Sequence, residues 1–264
     1  MDERRSMPEN IVLAVGAHPD DVELLCAGTL ALLQAQGWHV EIATMTPGDC
    51  GSATLAREEI SSIRRREAAA SAALLGGTYH CLECDDIFIA YDRETLLKVI
   101  DLVRRVKPKL VLTMSPEDYM VDHEVTSALV RTACFSAGMS NIRTAGNEPF
   151  QGIPYLYYGD PMEGKDILGK AVHATTIVEI TGTMATKERM FLCHESQLSW
   201  LSSHHGVNEA VGTMKALATT RGKTIGVRYA EGFRQHLGHA FPQDNILKDA
   251  LRGLVHHSAT GESA

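Results

Sequence analysis

The strongest constraint on this chain is an alternation of strand-like and helix-like segments through its first half. "IVLAVGA" at 11–17 is apolar on both faces, β-branched and too short for a helix, so it reads as a strand buried on two sides. Residues 22–36 read as a helix ended by Gly37. "HVEIATMT" is a second strand, closed by Pro47 and Gly48, and residues 54–75 carry helical spacing up to Gly76 and Gly77. "YHCLEC" is a third strand. Residues 93–106 set Leu96, Leu97, Ile100, Val103 and Val106 on one helical face before Pro108. "KLVLTMS" makes a fourth strand, and a helix is expected from near Asp122 to about Ser136. This rhythm predicts an α/β fold: a mostly parallel sheet with helices on both faces. "YLYYGD" and "ATTIVEI" read as two further strands, followed by a helix over 183–199. With no linker and no repeat, the expectation is a single domain over 1–264, with a core at about 11–136 and a C-terminal elaboration at about 150–250.

The first strand ends abruptly in "AHPDD", groups that are costly to bury. Either Asp20 or Asp21 caps the next helix, with Pro19 forming a turn, or the segment delivers ligands to a metal. In parallel sheets reactive groups collect beyond the carboxyl ends of the strands. Both "AHPDD" and "SPEDYMVDHE" lie there. Zinc takes imidazole nitrogen and carboxylate oxygen, and catalytic sites commonly use three protein ligands. His18 and Asp21 are spaced to converge on one ion, His123 is the best third candidate, and Asp20 is left free beside them to act as a base.

"AHPDD" after an N-terminal strand, with "AGTLALL" in the following helix, resembles the PIG-L/LmbE family of zinc-dependent N-deacetylases. "TMTPGDCGS", "SIRRREAAASAALLGG", "DHEVT", "CHESQLSWL" and "YAEGFR" are similar, in order, to that family's later motifs, so the resemblance spans roughly 11–234. It implies a Rossmann-like fold, Zn²⁺ held by His18, Asp21 and His123, and Asp20 as general base. It also implies removal of an acetyl group from the amide nitrogen of an N-acetylated amino sugar or glycoconjugate. One position departs. The family commonly reads H-P-D-H where this chain has Met120, Val121, Asp122 and His123. Methionine can neither stabilise an oxyanion nor protonate an amine. Tyr119, as a hydrogen-bond donor, and His194, as a proton source, are the candidates to take over. Arg64 and Asp86 are candidate partners for sugar hydroxyls; the alternative for Arg64 is an ion pair on a solvated helix face.

Composition narrows the alternatives. A net charge of -8 argues against a nucleic-acid surface. No apolar run approaches the roughly 18 residues of a membrane span. The polar opening "MDERRSMPEN" lacks a signal peptide's apolar region, and six scattered cysteines fit reduced thiols, so a cytoplasmic protein is expected. Cys81 and Cys84 form a lone CxxC with neither a redox helix nor a second pair. His204, His205, His236, His239, His256 and His257 enrich the C-terminal region but lack strand-end placement. A dinucleotide oxidoreductase would need G-x-G-x-x-G after the first strand, and "GAHPDDVELLCAG" lacks it. An amidase for a different conjugate and a catalytically silent metal- or sugar-binding module remain as rivals. A His-His-Asp set also accepts other divalent transition metals. A small glycoside is the expected partner, and the resemblance is compatible with a homo-oligomer.

Overall fold

The computed structural model describes residues 10–144, 146–198 and 210–257. His204 and His205 lie outside the described residues. Eight strands form one sheet: β1 (Ile11–Gly16), β2 (His39–Thr44), β3 (Thr78–Cys81), β4 (Leu110–Thr113), β5 (Tyr155–Gly159), β6 (Thr176–Glu179), β7 (Ala230–Gln235) and β8 (Val255–His257). Their spatial order is β3-β2-β1-β4-β5-β7-β6-β8. The first five are parallel, and the pairs β5–β7, β7–β6 and β6–β8 are antiparallel.

All six residues of β1 are buried because helices cover both faces. Val12 and Ala14 enter one core with residues of α1 (Asp21–Ala35), α5 (Met184–Leu192) and α6 (Ala210–Lys223). Leu13 and Val15 enter the other with residues of α3 (Arg93–Val106) and α4 (Val121–Ser136). The continuous apolar run of β1 is therefore what a central parallel strand requires. In α3 the Asp92 side chain accepts from the Thr95 N–H, and the helix closes at Lys107 with positive φ, one residue before Pro108. α2 (Arg57–Ala73) lies between β2 and β3, and a short α7 (Ile246–Ala250) precedes β8.

Strand order reverses between β1 and β4, each of which leads into a helix on a different face. Crevices form at such switch points. The turn Ala17–Asp20 and the loop from Met114 to Met120 therefore emerge side by side.

Two expectations are corrected here. The helix expected over 183–199 stops at Leu192 and resumes at Glu195. The break carries His194 into the interior, where it is 1% exposed. The strand expected from "YHCLEC" ends at Cys81. The lone CxxC shows no sign of reactivity: both thiols are free, and burial pushes both above the ordinary range, Cys81 to about 11.

β7 was not anticipated as a strand because "AEGFRQ" is too polar for a buried one. Its Glu231 is nevertheless buried. The carboxylate accepts from Gly28 N–H, Thr29 N–H and Thr29 Oγ1, and from Lys187 Nζ at 2.6 Å. Four donors from α1 and α5 repay its desolvation and tie the antiparallel half to the helix that carries Asp21. No helix among the described residues is long and apolar enough to cross a membrane.

Candidate metal centre

His18, Asp20 and Asp21 sit on the turn between β1 and α1. Asp20 occupies the N-cap position of α1 with φ 107°, yet its side chain makes no capping bond. A non-glycine residue at positive φ is uncommon and is retained where surrounding structure over-determines it. Asp21 is not a helix cap either: its Oδ2 accepts from the Ala17 and His18 N–H groups at 2.9 and 2.7 Å. The turn is folded around the Asp21 carboxylate.

From the β4 end comes His123, in the first turn of α4. His18, Asp21 and His123 each offer one ligand atom, all within 4.8 Å of one another. His18 Nδ1 lies 3.4 Å from Asp21 Oδ2, and His123 Nε2 lies 3.4 Å from Asp21 Oδ1. The outward nitrogens are held by other carboxylates. His18 Nε2 is 3.1 Å from Asp86 and 3.3 Å from Asp122, and His123 Nδ1 is 3.0 Å from Asp118. Metal-bound histidines are generally fixed in this way, the carboxylate setting tautomer and ring orientation. Two oriented imidazoles and a carboxylate are a fitting donor set for zinc or a neighbouring divalent ion.

Two other groupings among the described residues could hold a cation, His18–Asp86–Asp122 and Asp49–Cys50–Asp86. The first uses the other face of His18. The second is poorer, because partial desolvation and the Asp86 and Asp49 carboxylates push the exposed Cys50 thiol above its ordinary range, and Asp49 already accepts from Arg57 Nε and the Asp86 N–H.

The charges reinforce one another. Burial alone would push His18 down, but Asp122, Asp21 and Asp86 outweigh it and hold the imidazole well above its usual range. Burial opposes ionisation of Asp21, yet His123 and His18 hold its carboxyl well below the ordinary range. His123, buried but beside Asp21 and Asp118, is raised to about 10. Asp20 goes the other way. Burial lifts it to about 6, with Arg64 opposing and Asp21 assisting.

The remaining candidates fall in distinct places. Arg64 is 3% exposed, which rules out the solvated face. It donates to Gly48 O at 3.1 Å and to Pro19 O at 2.7 Å, and its guanidinium lies 3.7 Å from Asp20. A side chain committed to two backbone carbonyls is a brace for Asp20 and its turn rather than an open partner for sugar hydroxyls. Gly48, at φ 70°, has no room for a Cβ because that guanidinium fills the space. Asp86 is likewise turned inward, onto His18 and the Cys50 N–H, so it orients the His18 imidazole. Tyr119 is 62% exposed and stands edge-on to His123, ring centroids 5.4 Å apart. It is the one replacement candidate that borders the cluster from the open side.

His194 does not face an open site. Its Nε2 lies 3.2 Å from Glu23 Oε1, and Glu23 also accepts from Ser71 Oγ. Burial would lower the imidazole, but the carboxylates of Glu23 and Asp20 outweigh it and raise it, and His194 in turn draws Asp20 down. His194 thus balances a buried carboxylate two residues beyond Asp21. His194→Ala is expected to cost about 3–5 kcal/mol in stability, because it leaves Glu23 uncompensated. Chemical denaturation checks this. An unchanged midpoint with reduced turnover would return His194 to the role of proton source.

Asp118 and Asp122 were not singled out by sequence reasoning. Both stand in the quoted "SPEDYMVDHE", where an acidic residue five before and one before His123 was the available signal. A cavity of about 250 Å³ opens from the cluster, with Asp21, His123 and Asp118 in its wall. It runs toward the end of β5, where Asp160 lies, and is closed by α6 and β7.

Residues 13–134 match the family described as PIG-L, GlcNAc-PI de-N-acetylase. The chain is 28% identical over 236 residues to a diacetylchitobiose deacetylase of Thermococcus kodakarensis, covering 84% of this chain and 82% of the relative. It is equally 28% identical over 198 residues to a 4-oxalmesaconate hydratase of Pseudomonas putida, covering 72% and 75%. Among solved structures it superimposes on an N,N′-diacetylchitobiose deacetylase from Pyrococcus horikoshii with a TM-score of 0.75 and 26% identity, covering 88% of this chain and 87% of that one.

Proposed function

We propose that this chain, whose residues 13–134 match the PIG-L family, is a zinc-dependent hydrolase. It removes the acetyl group from the nitrogen of an N-acetylated amino sugar or glycoconjugate. The observation that carries the reading is a carboxylate, Asp20, that makes no capping bond, belongs to none of the three ligand positions and is held at positive φ beside an oriented His-Asp-His set. His18, Asp21 and His123 would hold the ion. When bound, zinc supplies Lewis-acid chemistry, acidifying water to a pKa near about 7 and polarising a carbonyl.

The protein's own residues do the rest. Asp20 takes a proton from the attacking water and can return it to the departing amine. In the metal-free chain burial lifts its carboxyl above the ordinary range, the direction that strengthens a base. Arg64 keeps Asp20 in place through the Pro19 carbonyl. Tyr119, exposed and edge-on to His123, would donate to a developing oxyanion, the task a methionine at position 120 cannot perform.

The likeness to a hydratase gives a second reading, addition of water to an activated double bond at the same site. The test is a screen of zinc-loaded protein against N-acetylated mono- and disaccharides with acetate quantified, run beside an unsaturated dicarboxylate followed by loss of ultraviolet absorbance. Acetate with an equal amount of free amine supports the deacetylase. Absorbance loss without acetate replaces it with the hydratase.

A further inference from the structure

We infer that the cavity leading from the metal centre holds the acyl chain of the substrate, and that the protein hydrolyses N-acyl amino sugars whose acyl group is several carbons longer than acetyl. This rests on the amide-hydrolase reading and names the substrate class of that same site.

Two of the proposed metal ligands, Asp21 and His123, stand at one end of the cavity. From there it is lined by Leu24 and Leu25 of α1, Met114 after β4, Val172, and Met214 and Leu217 of α6. Thr220, Thr224 and His173 are exposed and mark its outer end. The cavity thus runs from the ligands through an apolar middle to the surface. Leu25 is seated by the backbone beneath it: Gly159 closes β5, and a Cβ there would collide with the Leu25 side chain. The volume is about 250 Å³. A cavity of roughly 150 Å³ already holds benzene, so a chain of about six carbons fits here, where the single methyl of an acetyl group would leave most of the space unfilled.

Beyond the metal end, the charged residues of the wall are engaged with one another. Lys187 Nζ donates to Leu24 O at 2.9 Å and to Glu231 Oε1 at 2.6 Å, and Glu231 also accepts from the Gly28 and Thr29 N–H groups. Arg221 pairs with Asp160 Oδ2, while Asp160 Oδ1 and Arg221 Nε are enclosed by protein. A sugar ring carries hydroxyls around its rim, and each one buried without a partner costs free energy. The amino sugar is therefore excluded from the middle of the cavity and stays on the open side, where Tyr119 stands. An amide whose carbonyl lies at the ligands has one other arm, its acyl chain, and an aliphatic chain asks for no hydrogen bonds. Its useful length is limited at Thr220 and Thr224, since carbons beyond them return to water. Water adds to the acyl carbon and the C–N bond breaks. The water oxygen ends in the carboxylic acid, and the amine leaves with the proton that Asp20 took.

The experiment offers N-acetyl-, N-butanoyl-, N-hexanoyl- and N-dodecanoyl-glucosamine to the zinc-loaded protein and quantifies free glucosamine. Calorimetric titration of the Asp20→Asn protein with the same sugars reads affinity without turnover. From acetyl to hexanoyl, kcat/KM and affinity are each expected to rise about 10-fold or more, since each buried methylene adds up to about 4-fold (about 0.8 kcal/mol). Dodecanoyl should gain little over hexanoyl. Ala218→Phe and Val172→Phe fill the cavity from two different segments, and each should erase the hexanoyl preference, with circular dichroism and zinc content reporting the fold. An affinity that does not rise from acetyl to hexanoyl overturns the inference, as does a gain that survives both fillings. No glucosamine from any conjugate, with the affinity gain intact, would sink the amide-hydrolase reading alone. Glucosamine released from N-acetylglucosamine without any hexanoyl gain would sink only this inference.

Discussion

Asp20→Asn is expected to keep its metal and its fold and to lose about 10²–10⁴-fold in kcat, the usual contribution of a general base. The substitution is chosen for the backbone. Asp20 lies at φ 107°, and asparagine is among the few residues that tolerate positive φ, so the turn is not strained further. The shape and the polar contacts toward Arg64 are kept, and only the ability to accept a proton is removed. None of the three ligand atoms belongs to Asp20, so zinc content should be unchanged. KM should move little, because the loss falls on the reacting step. The checks are metal content by mass spectrometry, far-ultraviolet circular dichroism and steady-state acetate release. Unchanged turnover would reduce Asp20 to a member of the turn, and loss of zinc would make it part of the metal shell.

Much of this site was legible in the sequence because parallel sheets obey a positional rule. An apolar strand that ends in His-Pro-Asp-Asp, and a later one followed by Asp-His, must both discharge at the carboxyl edge. The strand order β2-β1-β4 makes them neighbours. The supporting carboxylates were harder to see. Asp118 and Asp122 gain their meaning from contact with imidazole nitrogens that point away from Asp21, a matter of ring orientation that spacing does not encode. Arg64 and Asp86 were read as partners for sugar hydroxyls, yet burial turns both inward, onto Asp20 and His18. His194 was read on a continuous helix, and the break at Cys193 and His194 moves it onto Glu23.

Least legible was the C-terminal part. β7 inserts between β5 and β6, two elements that precede it in the chain, and thereby closes the cavity with α6. No local pattern in "AEGFRQ" announces that pairing. The strand is held by Glu231, whose partners are 202, 203 and 44 residues away in sequence.

The second large effect concerns the ligands. His123→Ala and His18→Ala are each expected to abolish retained zinc after dialysis against a chelator, and with it all turnover. Asp21 is the less informative ligand to remove, because its Oδ2 also accepts two backbone N–H groups and its loss would disturb the turn itself. Each histidine carries a different burden in the metal-free protein. His18 faces Asp21, Asp86 and Asp122, so its removal leaves three carboxylates crowded without a cation. His123 faces two, Asp21 and Asp118. The metal-free His18→Ala protein should therefore melt lower than the metal-free His123→Ala protein. Metal-dependent stabilisation separates this from metal loss. Wild-type protein should gain about 4 kcal/mol when free zinc stands at about 1,000 times Kd, and neither variant should gain measurably. Asp118→Asn supplies the graded comparison, since it keeps all three ligands and weakens only the hold on His123. Its zinc affinity should fall about 10–100-fold, as for other carboxylates that orient a ligating histidine. Full zinc occupancy in His123→Ala would place the ion elsewhere, with His18, Asp86 and Asp122 the next set to test.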